Sequence, residues 1–167
     1  MLSAQKFYKA TAVEADFFSS APIEDIHAAS KKGISVLNSE TGEISFKINT
    51  NTFQFPKSLM QEHFNEKFIE SDKYPAATFR GNIKNPINFN RNGEYSVILL
   101  GVLDIHGIKN NREIPAEIIV QNGKISLKSN FQVACKDHNI KIPQILWQNI
   151  AEVVEVKVNA NYIPIEK

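Results

Sequence analysis

Residues 58–81 of the chain, SLMQEHFNEKFIESDKYPAATFRG, predict a helix followed directly by a strand. In the first part, Met60, Phe64 and Phe68 are spaced four residues apart, as on one face of a helix. We expect this helix to run over Ser58–Ser71, with Ser58 as its N-cap. Its single apolar stripe should lie against the apolar side of a sheet at an opening or flank of the fold. The residues expected in water are Gln61, Glu62, Asn65 and Glu66.

The end of this stretch carries a strand signal that recurs along the chain. Pro75 ends the helix, because the residue before a proline is pushed out of the α region. Apolar and polar residues then alternate, which is typical of an antiparallel sheet with one wet face. Among the turn sequences, Asn122-Gly123 is the clearest hairpin signal, because both residues tolerate positive φ. The alternating segments lie at residues 13–17, 34–36, 44–48, 77–83, 97–105, 118–120, 125–133 and 154–162.

About eight strands at steady spacing predict a barrel or a sandwich, and periodicity alone does not choose between them. An eight-stranded barrel is either filled by side chains or leaves room for one small ligand. Small residues on the inward face remove volume from the interior, and eleven phenylalanines could supply a cavity wall. On these grounds a cavity and a filled core both stay open. The small residues are Gly81, Gly101, Ser129 and Ala160.

The composition fits a single domain over residues 1–167. Lys and Arg number 19 against 18 Asp and Glu, so a net charge of +1 gives no support for a nucleic-acid partner. No apolar run approaches the roughly 18 residues of a membrane-spanning helix. Cys135 is the only cysteine, which excludes an internal disulfide and a C-x-x-C site. A second non-strand segment over Asp137–Asn149, which contains Trp147, is predicted to be helical or irregular.

The sequence contains none of the common catalytic motifs: no G-x-S-x-G, no phosphate loop and no H-E-x-x-H. We therefore expect no enzyme, although an acid–base pair that only the fold assembles stays open. The histidines never stand at i, i+2 or i, i+4, so we also expect no metal site. His106, before Gly107, is predicted to be exposed or to stabilise a turn. The four histidines are His27, His63, His106 and His138.

Four pieces in order resemble the YceI-like family of lipocalin-like, lipid-binding barrels. His63 and Phe68 fit the pattern H-x-x-x-x-F, and residues 73–79 fit x-Y-P-x-x-x-F. Residues 100–109, LGVLDIHGIK, are similar to the family's next strand, and residues 17–26 and 131–156 to its opening and closing parts. Gln61-Glu62 stands where other branches carry an arginine-aspartate pair, and Asp104 replaces a small polar residue. Head-group specificity therefore does not follow from the resemblance.

The resemblance implies an antiparallel lipocalin-like barrel with one or two short helices. It implies non-enzymatic binding, storage or transport of a long-chain amphiphile, such as a polyprenyl chain or a similar lipid, with no other cofactor. His63 is a candidate head-group contact, although a bond to a backbone carbonyl is the alternative. The residues expected to line the apolar tunnel or its mouth are Phe46, Phe64, Phe68, Phe79, Leu103, Ile105, Phe131 and Trp147.

Two other functions stay open: a small enzyme that acts on a bound isoprenoid, and a ligand-free interaction or stress module. Relatives imply a periplasmic or secreted protein that contacts membranes transiently and forms homodimers. Ser3-Ala4 would suit the end of a signal peptide already removed, whereas a native Met1 would indicate a cytoplasmic protein. Neither the lipid nor the pathway follows from the sequence.

Overall fold

The computed structural model describes residues 7–20, 25–141 and 152–165. Its eight strands form a closed antiparallel barrel in which each strand pairs with the next and β8 pairs with β1. The predicted barrel is confirmed, and a sandwich is excluded. The strands are β1 (Phe7–Ser19), β2 (Ile26–Asn38), β3 (Glu43–Asn49), β4 (Ala76–Ile83), β5 (Gly93–Ile105), β6 (Ile108–Gln121), β7 (Lys124–Ala134) and β8 (Val153–Pro164).

Two tight hairpins are built from residues with positive φ. Asn122 and Gly123, with φ of 51° and 81°, connect β6 to β7, as the sequence predicts. His106 and Gly107, with φ of 57° and 74°, connect β5 to β6 in the same way. Of the two roles predicted for His106, the turn is right and the exposure is wrong, since its side chain is buried.

Gly81 and Gly101 face each other across β4 and β5, where the two backbones approach closely. A Cβ on Gly81 would stand 2.8 Å from the Cα of Gly101, and a Cβ on Gly101 would stand 2.6 Å from the Cα of Gly81. Neither glycine lines the internal cavity. The interpretation that these glycines create cavity volume is therefore wrong: they allow two strands to touch.

The connection between β3 and β4, residues 50–75, forms a lid segment over one end of the barrel. It contains a 3-10 turn, helix α1 (Ser58–His63) and a π-helical turn (Phe64–Phe68). Helix α1 is shorter than the predicted Ser58–Ser71, because the backbone widens into i→i+5 bonds such as Ile69 N–H to Phe64 O at 2.9 Å. The N-cap is Lys57 and no side chain caps the helix, so the prediction that Ser58 is the cap is wrong.

The buried apolar residues form two clusters rather than one core. The larger one fills the barrel and includes Leu37, Phe79, Leu99, Ile118, Leu127 and Tyr162. The smaller one joins the lid segment to the strand ends and includes Ile26, Phe55, Phe64, Phe68, Ile140 and Val154. None of the helices in the described ranges is both long and apolar enough to cross a membrane.

Candidate ligand cavity

An internal cavity of about 160 Å³ is lined by members of both clusters, so it lies where the barrel interior meets the lid segment. Seven strands contribute to its wall, and the lid segment closes one side together with Cys135 and Ile140, which follow β7. The lining is apolar except for the side chains of Thr50, Thr78 and Ser129. A chamber of this composition excludes water and recognises its contents mainly by shape.

Two of the three hydroxyl groups in the wall already bond to the backbone. Thr50 Oγ1 donates to Tyr74 O at 2.9 Å, and Ser129 Oγ donates to Pro115 O at 2.7 Å. Both residues are buried. Because these hydroxyls are satisfied by the protein, the cavity gives a bound molecule little polar recognition.

Five phenylalanine rings pack together on the side of the lid segment, and all but Phe55 line the cavity. Phe64 is the hub: its ring centroid lies 5.1–5.9 Å from four other rings. Such pairs each contribute about 0.5–1.5 kcal/mol beyond the area they bury. This aromatic plug consists of Phe17, Phe53, Phe55, Phe64 and Phe68.

The structure places most of the predicted site residues around the cavity. Phe46, Phe64, Phe68, Phe79, Leu103, Ile105 and Phe131 all line it. Trp147 lies outside the described residues. His63 lies on helix α1, half-buried, and is not among the lining residues, so its contact with a head group stays a prediction.

Sequence reasoning did not assign Phe17, Phe53 and Phe55 to the mouth. The sequence places Phe17 in a strand and in the part that resembles the family's opening, and Phe53 and Phe55 lie in an irregular connection without a hydrophobic period. One signal in the sequence could have identified Phe53 and Phe55: they form an aromatic-rich irregular segment directly before an amphipathic helix. The fold brings these rings onto Phe64 through contacts far apart in sequence.

Polar side chains of the lid segment support the plug. Gln61 Oε1 accepts from Phe55 N–H at 3.0 Å, and Asn65 Oδ1 accepts from Ser71 Oγ at 2.6 Å. Both residues are half-buried, so their predicted place in water is wrong, whereas Glu62 and Glu66 are exposed as predicted. These two amides fix the loop ahead of the helix and the turn behind it.

A histidine latch ties the end of the lid segment to the barrel. His106 Nε2 lies 3.0 Å from Glu70 Oε1, and Nδ1 lies 3.0 Å from the carbonyl oxygen of His138. Each ring nitrogen thus faces an oxygen atom, one on the lid segment and one on the segment that follows β7. The His106 bond, aided by Lys73, holds the pKa of Glu70 below its usual range. Tyr74 packs on the same imidazole, with ring centroids 4.3 Å apart.

Cys135 lines the cavity, but its chemistry is that of a structural residue. Burial, with a smaller effect of Glu152, raises the pKa of its thiol to about 11. The thiol is therefore protonated at neutral pH and is a poor nucleophile. Among the described residues, no three His, Cys, Asp or Glu side chains are grouped so that they could hold a metal ion.

Comparisons with known proteins agree with this geometry. The model of the YceI-like domain matches residues 6–162, nearly the whole chain. The chain belongs to the YceI-like family. No functionally curated protein is significantly similar in sequence to this YceI-like chain.

Solved structures share the fold of this YceI-like barrel at low sequence identity. A polyisoprenoid binding domain from Saccharophagus degradans, implicated in plant cell wall breakdown, has a TM-score of 0.81 at 15% identity, covering 96% of this chain and 99% of that one. BcnA from Burkholderia cenocepacia has a TM-score of 0.75 at 15% identity, covering 89% and 95%. A YCEI protein from Campylobacter jejuni has a TM-score of 0.55 at 17% identity, covering 100% and 88%.

Proposed function

We propose that this YceI-like protein binds a long-chain amphiphile, of the polyprenyl or similar lipid class, and stores or carries it without chemical change. The observation that supports this most directly is the apolar cavity behind the aromatic plug. The polyisoprenoid binding of the Saccharophagus degradans relative gives the ligand class. The protonated thiol of Cys135 and the bonded hydroxyls of Thr50 and Ser129 supply no nucleophile for an enzyme.

The energetics of burial suit such a tail. Each buried methylene contributes roughly 0.8 kcal/mol, so a five-carbon isoprene unit contributes about 3–4 kcal/mol before ordering costs. Rigid-body and ordering losses offset several kcal/mol. A few units therefore suffice for tight binding without a specific polar contact, and affinity should depend mainly on tail length.

The volume of the cavity limits the length of the tail that fits without a change in the structure. An engineered apolar cavity of about 150 Å³ holds benzene, a ring of six carbons. The cavity of about 160 Å³ thus matches roughly one isoprene unit. A longer tail requires the aromatic plug to move, and the lid segment, which carries four of the five rings, is the part that would move with it.

The test is organic extraction of the purified protein followed by mass spectrometry, together with titration of prenyl alcohols of increasing length. We expect a stoichiometric lipid in the extract and an affinity that rises with each added unit. An empty extract together with no binding of any prenyl alcohol would contradict the proposal. Recovery of a chemically altered lipid would indicate an enzyme instead.

A further inference from the structure

The barrel wall has an unpaired stretch between β6 and β7. Their pairing ends at Ala116 and Ser129, although both strands continue past this pair. Pro115, which has no N–H, is the first residue of β6 beyond it. We call residues 108–114 and the facing residues 131–138 the seam. Between these two edges the structure gives no β pairing.

Side chains, rather than a backbone ladder, hold the seam together. In each contact a side-chain N–H donates to a backbone carbonyl. Because no ladder of β pairing joins these two edges, the seam can part without separating paired strands. The contacts are Arg112 Nη2 to Gln132 O at 2.8 Å, Asn110 Nδ2 to Asp137 O at 2.7 Å, and His138 Nδ1 to Ile108 O at 3.0 Å.

The cavity lies directly behind the seam. Ile114 on one edge lines it, and so do Phe131, Val133 and Cys135 on the other edge. A molecule whose tail fills the cavity can therefore bring its polar end to the seam. The aromatic plug, in contrast, presents only hydrocarbon to the cavity.

Arg112 is the one charged residue of the seam that is half-buried, since the other four are exposed: Lys109, Glu113, Lys136 and Asp137. Its guanidinium carbon lies 5.6 Å from the centroid of the Phe131 ring, and one of its nitrogens bonds to Gln132 O. The side chain is half-buried, and no carboxylate in the described part of the chain forms an ion pair with it. A guanidinium carries five N–H donors in a fork that matches phosphate, so donors remain for a further acceptor.

We propose that the seam is the head-group site of the cavity, and that Arg112 binds an anionic head group of the phosphate class there. This inference rests on the proposed function, since it needs a tail in the cavity. It narrows the ligand to amphiphiles with a phosphate or diphosphate end, in preference to neutral alcohols or quinones with the same tail.

The experiment compares two probes with one tail, farnesyl phosphate and farnesol, on the purified full-length protein. Wild type should bind farnesyl phosphate about tenfold or more tightly, because a charge-assisted hydrogen bond contributes more than a neutral one. The preference should shrink as salt is added. Arg112→Gln should remove the preference while farnesol binding stays at the wild-type level, and Arg112→Lys should keep part of it.

Arg80→Gln is the matched control, because Arg80 is exposed on β4 and its loss changes the net charge equally. Equal binding of both probes by wild type would overturn the head-group site. An Arg112→Gln variant that keeps the preference for farnesyl phosphate would also overturn it. So would a variant that binds both probes more weakly by the same factor, because that result is expected if the bond from Arg112 to Gln132 is purely structural. Failure of wild type to bind either probe would instead overturn the proposed function.

Discussion

Replacing Phe64 with alanine should loosen the lid segment and leave the barrel intact. The phenylalanine ring is buried, with 4% of its surface exposed, and packs against four other rings. Truncation of a buried phenylalanine to alanine costs about 3–5 kcal/mol. If the lid segment opens as a local unit, that loss falls on its opening equilibrium. A loss of about 3 kcal/mol corresponds to a roughly hundredfold larger open population.

Hydrogen exchange measured by mass spectrometry tests this prediction. Amides of the lid segment, including those of Ile69 and Ser71 that bond within it, should exchange roughly a hundredfold faster in the variant. Amides of β7 should keep their wild-type rates. Phe89→Ala is the control, because that ring has similar burial but belongs to the barrel cluster.

Two outcomes would refute the reasoning. Equal acceleration in the lid segment and in β7 would mean that the lid segment does not open by itself. Unchanged exchange in the lid segment would mean that Phe64 is not the hub of the plug.

In wild type, added lipid should slow exchange in the lid segment. Slowing only elsewhere would mean that the entrance lies in another part of the barrel.

Three further predictions concern the wall, the latch and the strand contact. A folded Phe79→Asp variant, checked by circular dichroism, should lose co-purifying lipid, because an unpaired carboxylate is costly in an apolar cavity; retention of the lipid would remove Phe79 from the site. Because the pKa of Glu70 is lowered in the fold, its bond to His106 stabilises the protein above the usual glutamate pKa and is lost as pH falls through the lowered value. In the Glu70→Gln variant, the melting temperature should therefore fall less steeply than in wild type as the pH is lowered. An unchanged fall would contradict a stabilising bond between Glu70 and His106. Gly101→Ala should lower the free energy of unfolding in urea by about 2 kcal/mol or more, because its Cβ overlaps the backbone of β4; a change within error would contradict the close strand approach.

The barrel could be predicted because each strand carries its own signal. Alternation fixes which residues face inward, and the pair Asn122-Gly123 marks its hairpin without reference to the rest of the fold. The inward direction of Phe79, Leu103 and Phe131 follows from that phase, whereas the cavity that they line is implied by the family resemblance. Local rules of this kind hold whenever one face of a sheet is buried.

What the sequence did not predict depends on contacts between distant residues. Helix α1 ends early because its last turn widens to place Phe64 and Phe68 in the plug, and no helix rule encodes that. His106 and His138 meet although 32 residues separate them. The sequence suggests that Gly81 and Gly101 create cavity volume, because it shows the missing side chains but not the neighbouring strand that approaches them.

The volume of the cavity has a consequence for the lifetime of the protein. Cavity volume in a core lowers the free energy of unfolding by about 24 cal/mol per Å³. A cavity of about 160 Å³ therefore corresponds to roughly 4 kcal/mol. A tail that fills it restores this packing and stabilises the folded form further by mass action. Protein molecules with a bound tail would then be degraded by proteases more slowly than molecules without one. Under the proposed function, the supply of the lipid would then influence the amount of protein in the cell.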